Sequence, residues 1–124
     1  MKAAIKRLDR GSEFETPERC FIIEVSNSIA DPALSIARAR VAPGVTTRWH
    51  RLRDTAERYV ILSGRGRMEI GDRPPEAVGP GDVVLIPPLC RQRITNTGGD
   101  DLVFLAICTP RFTEEVYEEL SDRG

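Results

Sequence analysis

Residues 44–64 read GVTTRWHRLRDTAERYVILSG, and residues 81–96 read GDVVLIPPLCRQRITN. In the first stretch, five residues separate Gly44 from His50, and six residues separate Glu57 from Gly64. In the second stretch, five residues follow Gly81 before a proline. Each stretch contains a run of β-branched and apolar residues, which is typical of a strand, and each begins with a glycine, as is typical of a turn. The single histidine of the chain therefore lies beside a predicted strand.

Similar segments recur along the rest of the chain. Between them lie glycine, proline, asparagine and aspartate, the residues that favour turns. Many short strands at even spacing favour an antiparallel sandwich or barrel over an α/β fold. The predicted strands are Cys20–Val25, Leu34–Val41, Arg58–Leu62, Gly66–Ile70, Val83–Ile86, Gln92–Asn96 and Leu102–Cys108.

Only the end of the chain is predicted to be helical. Thr113 can cap a helix with acidic residues in its first turn, and Val116 and Leu120 are spaced to share one face. We therefore expect a short helix over about residues 113–121, after a core barrel over about residues 20–110. At 124 residues, the chain is predicted to form a single domain over residues 1–124.

The two quoted stretches resemble the paired motifs of the cupin superfamily, in particular its small single-domain barrels of the cupin 2 type. The first motif is glycine, five residues, His-x-His, three or four residues, glutamate, six residues and glycine. The second is glycine, five residues, Pro-x-Gly, two residues, histidine, three residues and asparagine. The resemblance covers residues 44–96. It implies an all-β fold, a double-stranded β-helix (jelly-roll) barrel.

In this family, the histidines and glutamate of the motifs hold a metal inside the barrel. His50 and Glu57 match two of these ligands, whereas Leu52 stands at the second histidine and Gln92 at the third. Leu89 also replaces a glycine of the second motif. The resemblance thus implies a divalent transition metal (Mn, Fe, Ni, Cu or Zn) held by His50, Glu57 and Gln92, with positions open to water or substrate.

Strand parity places Glu57, Tyr59 and Ile61 on one face. If Glu57 points into the barrel, as the resemblance implies, Tyr59 does too, and these two are the candidate catalytic residues. The alternative for Tyr59 is that its ring packs in the core and its hydroxyl is hydrogen-bonded there. The alternative for His50 is a hydrogen bond to Glu57, with Gln92 bridging both residues and no metal. The residues by themselves leave these alternatives open.

Arg38 and Arg40 alternate with apolar residues in a predicted strand, so both are expected on one face. A buried guanidinium is costly without an anionic partner. Either this face lies outside, paired with acidic groups at a dimer surface, or an arginine reaches into the pocket to hold an acidic substrate.

The composition excludes several classes of partner. The net charge is −1, which argues against nucleic acid or an anionic membrane as a general partner. No apolar run approaches the ~20 residues of a membrane span, and no secretory signal is recognised at the start, so we expect a cytoplasmic protein. The three widely spaced cysteines do not indicate a disulfide framework.

These observations favour an enzyme that acts on a small molecule by metal-dependent chemistry of the oxygenase or isomerase type. The first alternative is a metal-free cupin that binds a small ligand without catalysis. The second is a barrel whose main role is to form a homodimer, which we predict in any case, through the apolar segments Cys20–Val25 and Leu102–Cys108.

Overall fold

The computed structural model describes residues 1–121, which form short β-strands and two 3₁₀ helices, Arg10–Ser12 and Glu114–Val116. Each of the seven predicted strands is present; three have the predicted ends, and the ends of the other four differ by one or two residues. The strands are β1 (Phe14–Glu15), β2 (Phe21–Ser26), β3 (Ser35–Val41), β4 (His50–Leu52), β5 (Ala56–Ser63), β6 (Gly66–Ile70), β7 (Glu76–Val78), β8 (Val83–Ile86), β9 (Gln92–Asn96), β10 (Leu102–Thr109) and β11 (Tyr117–Glu119).

Two antiparallel sheets make up the fold. The six-stranded sheet has the order β1-β2-β3-β10-β5-β8, and the five-stranded sheet has the order β11-β4-β9-β6-β7. Neighbours far apart in sequence, such as β3 and β10, lie side by side, as they do in a jelly roll. The predicted all-β double-stranded β-helix is confirmed. Among residues 1–121, no helix is long and apolar enough to cross a bilayer.

The core lies between the inner faces of the two sheets. Along β5, the buried residues alternate with residues that are more exposed, as the parity argument predicted. Glu57, Tyr59 and Ile61 point inward, so a polar residue enters the same interior as the apolar ones. The apolar residues buried there are Cys20, Ala39, Val41, Tyr59, Ile61, Met68, Val84, Ile86, Ile94, Leu102 and Phe104.

The predicted C-terminal helix is wrong. Residues 114–116 form a single 3₁₀ turn, and β11 then pairs antiparallel with β4, with Tyr117 opposite Leu52. Thr113 precedes the turn, but its side chain makes no capping hydrogen bond. A helix of this length is marginal by itself. The unpaired edge of β4 offers its backbone groups to the segment instead, and this pairing overrides the helical pattern.

Arg38 and Arg40 lie on the outer face of the six-stranded sheet, because Ala39 and Val41 between and after them are buried in the core. Arg40 donates to Glu13 with a 2.7 Å contact between Nη2 and Oε1, and Arg38 lies 3.5 Å from the same carboxylate. Arg40 also lies 3.3 Å from Asp101, so the acidic partners are residues of this chain itself. Neither guanidinium points toward the barrel interior.

Candidate active site inside the barrel

His50 begins β4 and is buried, and the register of the five-stranded sheet places it directly opposite Gln92. Its Nδ1 lies 2.9 Å from the carbonyl oxygen of Arg48. A carbonyl oxygen can only accept, so Nδ1 carries a proton in this contact. Nε2 lies 3.5 Å from Oε2 of Glu18. The backbone thus sets the orientation of the ring, and Nε2 is the nitrogen that faces other side chains.

Glu57 lies on β5 with its carboxyl group buried in the barrel. Its Oε1 accepts a 2.8 Å hydrogen bond from Nε2 of Gln92, and its Oε2 accepts from the Cys108 thiol at 3.6 Å. Burial raises the pKa of Glu57, and the nearby His50 and the Gln92 amide lower it by less. The carboxyl group therefore favours its neutral form more than an exposed glutamate does.

Gln92 links two other polar residues in the interior. It is fully buried, and while its Nε2 donates to Glu57, its Oε1 accepts a 2.7 Å hydrogen bond from the Tyr59 hydroxyl. The Tyr59 ring packs against Phe104 at a centroid distance of 4.3 Å. Burial, followed by the charge of Glu57, raises the pKa of Tyr59 well above its ordinary value. Tyr59 thus has the hydrogen bond and core packing of the structural alternative, and its catalytic role stays a prediction.

Two residues that the sequence analysis missed complete this region. Glu18, between β1 and β2, brings its carboxylate to His50, and its own carbonyl oxygen accepts from the Arg48 backbone at 3.1 Å. Tyr117 stacks its ring on His50 with centroids 5.2 Å apart and an interplanar angle of 25°. Neither residue belongs to a recognisable motif, and the predicted helix assigned Tyr117 to the wrong kind of element. No sequence signal pointed to them.

The donor atoms decide how well this region fits a metal. Within residues 1–121, no group of three or more His, Cys, Asp or Glu is arranged to hold a metal ion. The predicted third ligand, Gln92, has both ends of its amide engaged by Glu57 and Tyr59. Leu52 is buried and brings no donor. The residues as arranged do not present three free ligands. Metal binding by His50, Glu57 and Gln92 stays a prediction, and it requires the Gln92 amide group to rotate away from its present hydrogen bonds.

A comparison with known proteins supports the motif assignment. Residues 37–108 match the family model described as "Cupin domain". The chain belongs to the cupin family. Over 80 residues, this cupin is 38% identical to a protein of Pyrococcus abyssi named glucose-6-phosphate isomerase, and the match covers 61% of this chain and 42% of that protein. The chain thus spans less than half the length of that relative.

Solved structures also resemble this cupin. A predicted oxalate decarboxylase from Thermotoga maritima has a TM-score of 0.77 and 23% identity, covering 86% of this chain and 99% of that one. Pac13, a nucleoside dehydratase from Streptomyces, has a TM-score of 0.75 and 14% identity, covering 94% and 92% of the two chains. At these identities the likeness shows the fold alone.

Proposed function

We propose that this cupin is an enzyme that moves protons within a polar small-molecule substrate, in chemistry of the isomerase type. His50 would act as the base through Nε2, and Glu57 would supply the acid. The observation that carries the proposal is the setting of these two groups. The Arg48 carbonyl orients the imidazole through Nδ1, and burial raises the pKa of the Glu57 carboxyl group, so it holds a proton to higher pH than an exposed glutamate does. Proton transfer requires one group that accepts a proton and one that donates it.

The relatives support the isomerase type over oxygenase chemistry. The curated relatives of known name are called glucose-6-phosphate isomerase, and one structural neighbour is a nucleoside dehydratase. Isomerisation of a hydroxylated compound takes a proton from carbon and returns it to a neighbouring atom, so it needs one base and one acid within reach of the substrate. His50 and Glu57 supply these two groups without a second histidine.

The experiment measures exchange of carbon-bound hydrogen for solvent deuterium by ¹H NMR. Metal-stripped protein is incubated in D₂O with glucose, uridine and their monophosphates. We expect loss of a substrate C–H signal, and no loss with His50→Gln or Glu57→Gln. Glu76→Gln is the matched control, because this exposed residue pairs with Arg73 away from the barrel interior. Binding without exchange favours the ligand-binding module, and neither binding nor exchange with any compound contradicts the proposal.

Metal dependence is the second candidate, and one observation favours it. Histidines that bind metals usually donate their other ring N–H to a carbonyl or carboxylate, and His50 does so to Arg48. A divalent transition metal would be held by His50, Glu57 and Gln92 after the Gln92 amide turned over, and it would supply Lewis-acid chemistry. Exchange that is absent after metal removal, and returns with Mn²⁺, Fe²⁺ or Zn²⁺, would select this candidate.

We also propose that the chain is a single domain that forms a homodimer and is cytoplasmic. The exposed apolar residues of the six-stranded sheet support the dimer, but they are not in the predicted segments. Leu62, Val83 and Leu85 are exposed at the β5–β8 edge. The segment Leu102–Cys108 instead forms the central β10, where it is covered by neighbouring strands. Analytical ultracentrifugation of the wild type and Leu85→Glu tests the dimer: a monomeric wild type contradicts it.

A further inference from the structure

Two residues that contact His50 belong to parts of the chain outside residues 37–108, the region that matches the family. Glu18 precedes β2, and Tyr117 lies on β11. Backbone hydrogen bonds join both segments to the residues just before His50. The Arg48 backbone N–H donates to the Glu18 carbonyl at 3.1 Å, and the Leu120 backbone N–H donates to the Trp49 carbonyl at 2.9 Å. The segment before β2 and strand β11 therefore meet at His50.

Polar atoms beside His50 can accept a partner from outside the chain. Nε2 of His50 lies 3.5 Å from Oε2 of Glu18, which is longer than a normal hydrogen bond. The ring of Tyr117 stacks on His50. Across residues 1–121, its hydroxyl is the one buried side-chain N or O atom without a hydrogen-bond partner. Buried polar groups are almost always hydrogen-bonded, so a bound molecule is the expected partner.

The charged groups around His50 indicate what could bind beside it. Glu18 brings a carboxylate, with 20% of its side chain exposed. Arg48 and Arg51 lie within 3.5 Å of acidic residues, Glu119 and Glu118 respectively. The exposed Arg19 contacts the Thr46 carbonyl at 3.5 Å. An anionic group bound beside Glu18 would be repelled by its carboxylate at short range.

We propose that Glu18 and Tyr117 form a substrate-binding site that selects a neutral, hydroxyl-bearing group, such as the diol of a sugar or nucleoside, over a phosphorylated one. Glu18 accepts a hydrogen bond from one substrate hydroxyl, and the Tyr117 phenol donates to another oxygen, while His50 lies beside both. This inference names the substrate class of the proposed enzyme and so rests on the proposed function. It departs from the phosphorylated sugar in the name of the archaeal relatives.

The test compares neutral compounds with their monophosphates. Dissociation constants of glucose, glucose 6-phosphate, uridine and uridine 5′-monophosphate are measured by ligand-observed NMR titration of the full chain. We expect at least one neutral compound to bind about tenfold or more tightly than its monophosphate. Tyr117→Phe keeps the ring that stacks on His50 and removes only the hydroxyl, so affinity for that neutral compound falls about tenfold. Thermal stability should be unchanged or higher, because a buried unpaired hydroxyl is lost.

Glu18→Gln provides an independent measurement. Removing its charge should weaken binding of the neutral compound about tenfold and tighten binding of the monophosphate. The ratio of the two dissociation constants should therefore fall or reverse. If Glu18 had only a structural role, its replacement would weaken binding of both compounds to the same extent. Glu76→Gln is the matched control, since this exposed residue pairs with Arg73 away from the barrel interior. It should leave both dissociation constants unchanged.

Several outcomes overturn the inference. It is wrong if a monophosphate binds more tightly than its neutral parent, if no compound binds, or if Tyr117→Phe and Glu18→Gln leave neutral binding unchanged. A water molecule is then sufficient as the partner of Tyr117. These failures differ from failure of the proposed function, in which neutral binding depends on both residues but no deuterium enters the substrate. If deuterium exchange is lost with His50→Gln but kept with Tyr117→Phe and Glu18→Gln, the proposed function stands and the proposed binding site is wrong.

Discussion

Replacement of Gln92 by leucine tests whether its amide is the central hydrogen-bonding group of the barrel interior. The change removes the acceptor of the Tyr59 hydroxyl and the donor to Glu57 Oε1, and both partners are buried. Each buried group left without a partner costs about 1–3 kcal/mol, so the two together cost about 4 kcal/mol. The added apolar burial of leucine returns about 1 kcal/mol. We therefore expect a net loss of about 3 kcal/mol, a large part of the stability of a small domain.

The measurement is urea unfolding followed by circular dichroism. With an m-value of about 1.5 kcal/mol per molar urea, the midpoint of unfolding should fall by roughly 2 M. A double-mutant cycle isolates the inner contact. Tyr59→Phe removes the hydroxyl that Gln92→Leu leaves unpaired, so the double variant should be more stable than the sum of the single losses by about 1 kcal/mol.

Two results would refute this account. A loss of less than about 1 kcal/mol for Gln92→Leu would mean that water or rearranged neighbours satisfy Tyr59 and Glu57. A coupling within about 0.3 kcal/mol of zero would mean that Tyr59 and Gln92 do not interact in solution. Either result would also reopen the possibility that the amide oxygen is free to bind a metal.

Three further predictions concern ligation, ionisation and backbone conformation. Gln92→His supplies the imidazole that the family motif carries at this position, so Zn²⁺ affinity measured by equilibrium dialysis should rise at least about tenfold over wild type; unchanged affinity would mean that this side chain does not face the metal position. Because burial raises the pKa of Glu57 above its ordinary value of 4.5, the folded protein binds the proton more tightly than the unfolded chain, and stability is lost as pH rises through the folded pKa. Glu57→Gln removes that loss, so the difference in melting temperature between this variant and the wild type should grow in the variant's favour as pH rises above about 4.5. The exposed control Glu76→Gln should show no such trend. Parallel pH profiles for Glu57→Gln and the wild type would contradict a raised pKa for this buried carboxyl group. Gly64→Ala places a Cβ atom 2.6 Å from a backbone oxygen at φ +87°, whereas Gly44→Ala meets nothing within 4 Å at φ +78°. We expect losses of about 3 and about 1 kcal/mol in urea unfolding, and equal losses would rule out the steric contribution at Gly64.

The residues that face the barrel interior could be predicted from sequence patterns, whereas the hydrogen bonds among them could not. His50 and Glu57 could be named because they occupy ligand positions of the motifs that resemble those of cupins, and strand alternation then placed Tyr59 on the same face as Glu57. The alternatives for Gln92 could not be separated in this way. Which end of the amide faces Glu57 and which faces Tyr59 depends on how β5 and β9, from different sheets, are placed across the interior.

The sequence by itself indicated an all-β fold, since periodicity and turn residues act locally, and its two motifs implied the cupin jelly roll and the inward face of β5. It left open whether Arg38 and Arg40 point outward, which the structure decided. Only the tertiary structure decided that the C-terminal segment is a strand, because the free edge of β4 is visible only in the folded sheet. It also decided that Glu18 and Tyr117, 99 positions apart in the chain, meet at His50. Contacts between the two ends of a chain arise from packing on a common framework, and no local pattern records them.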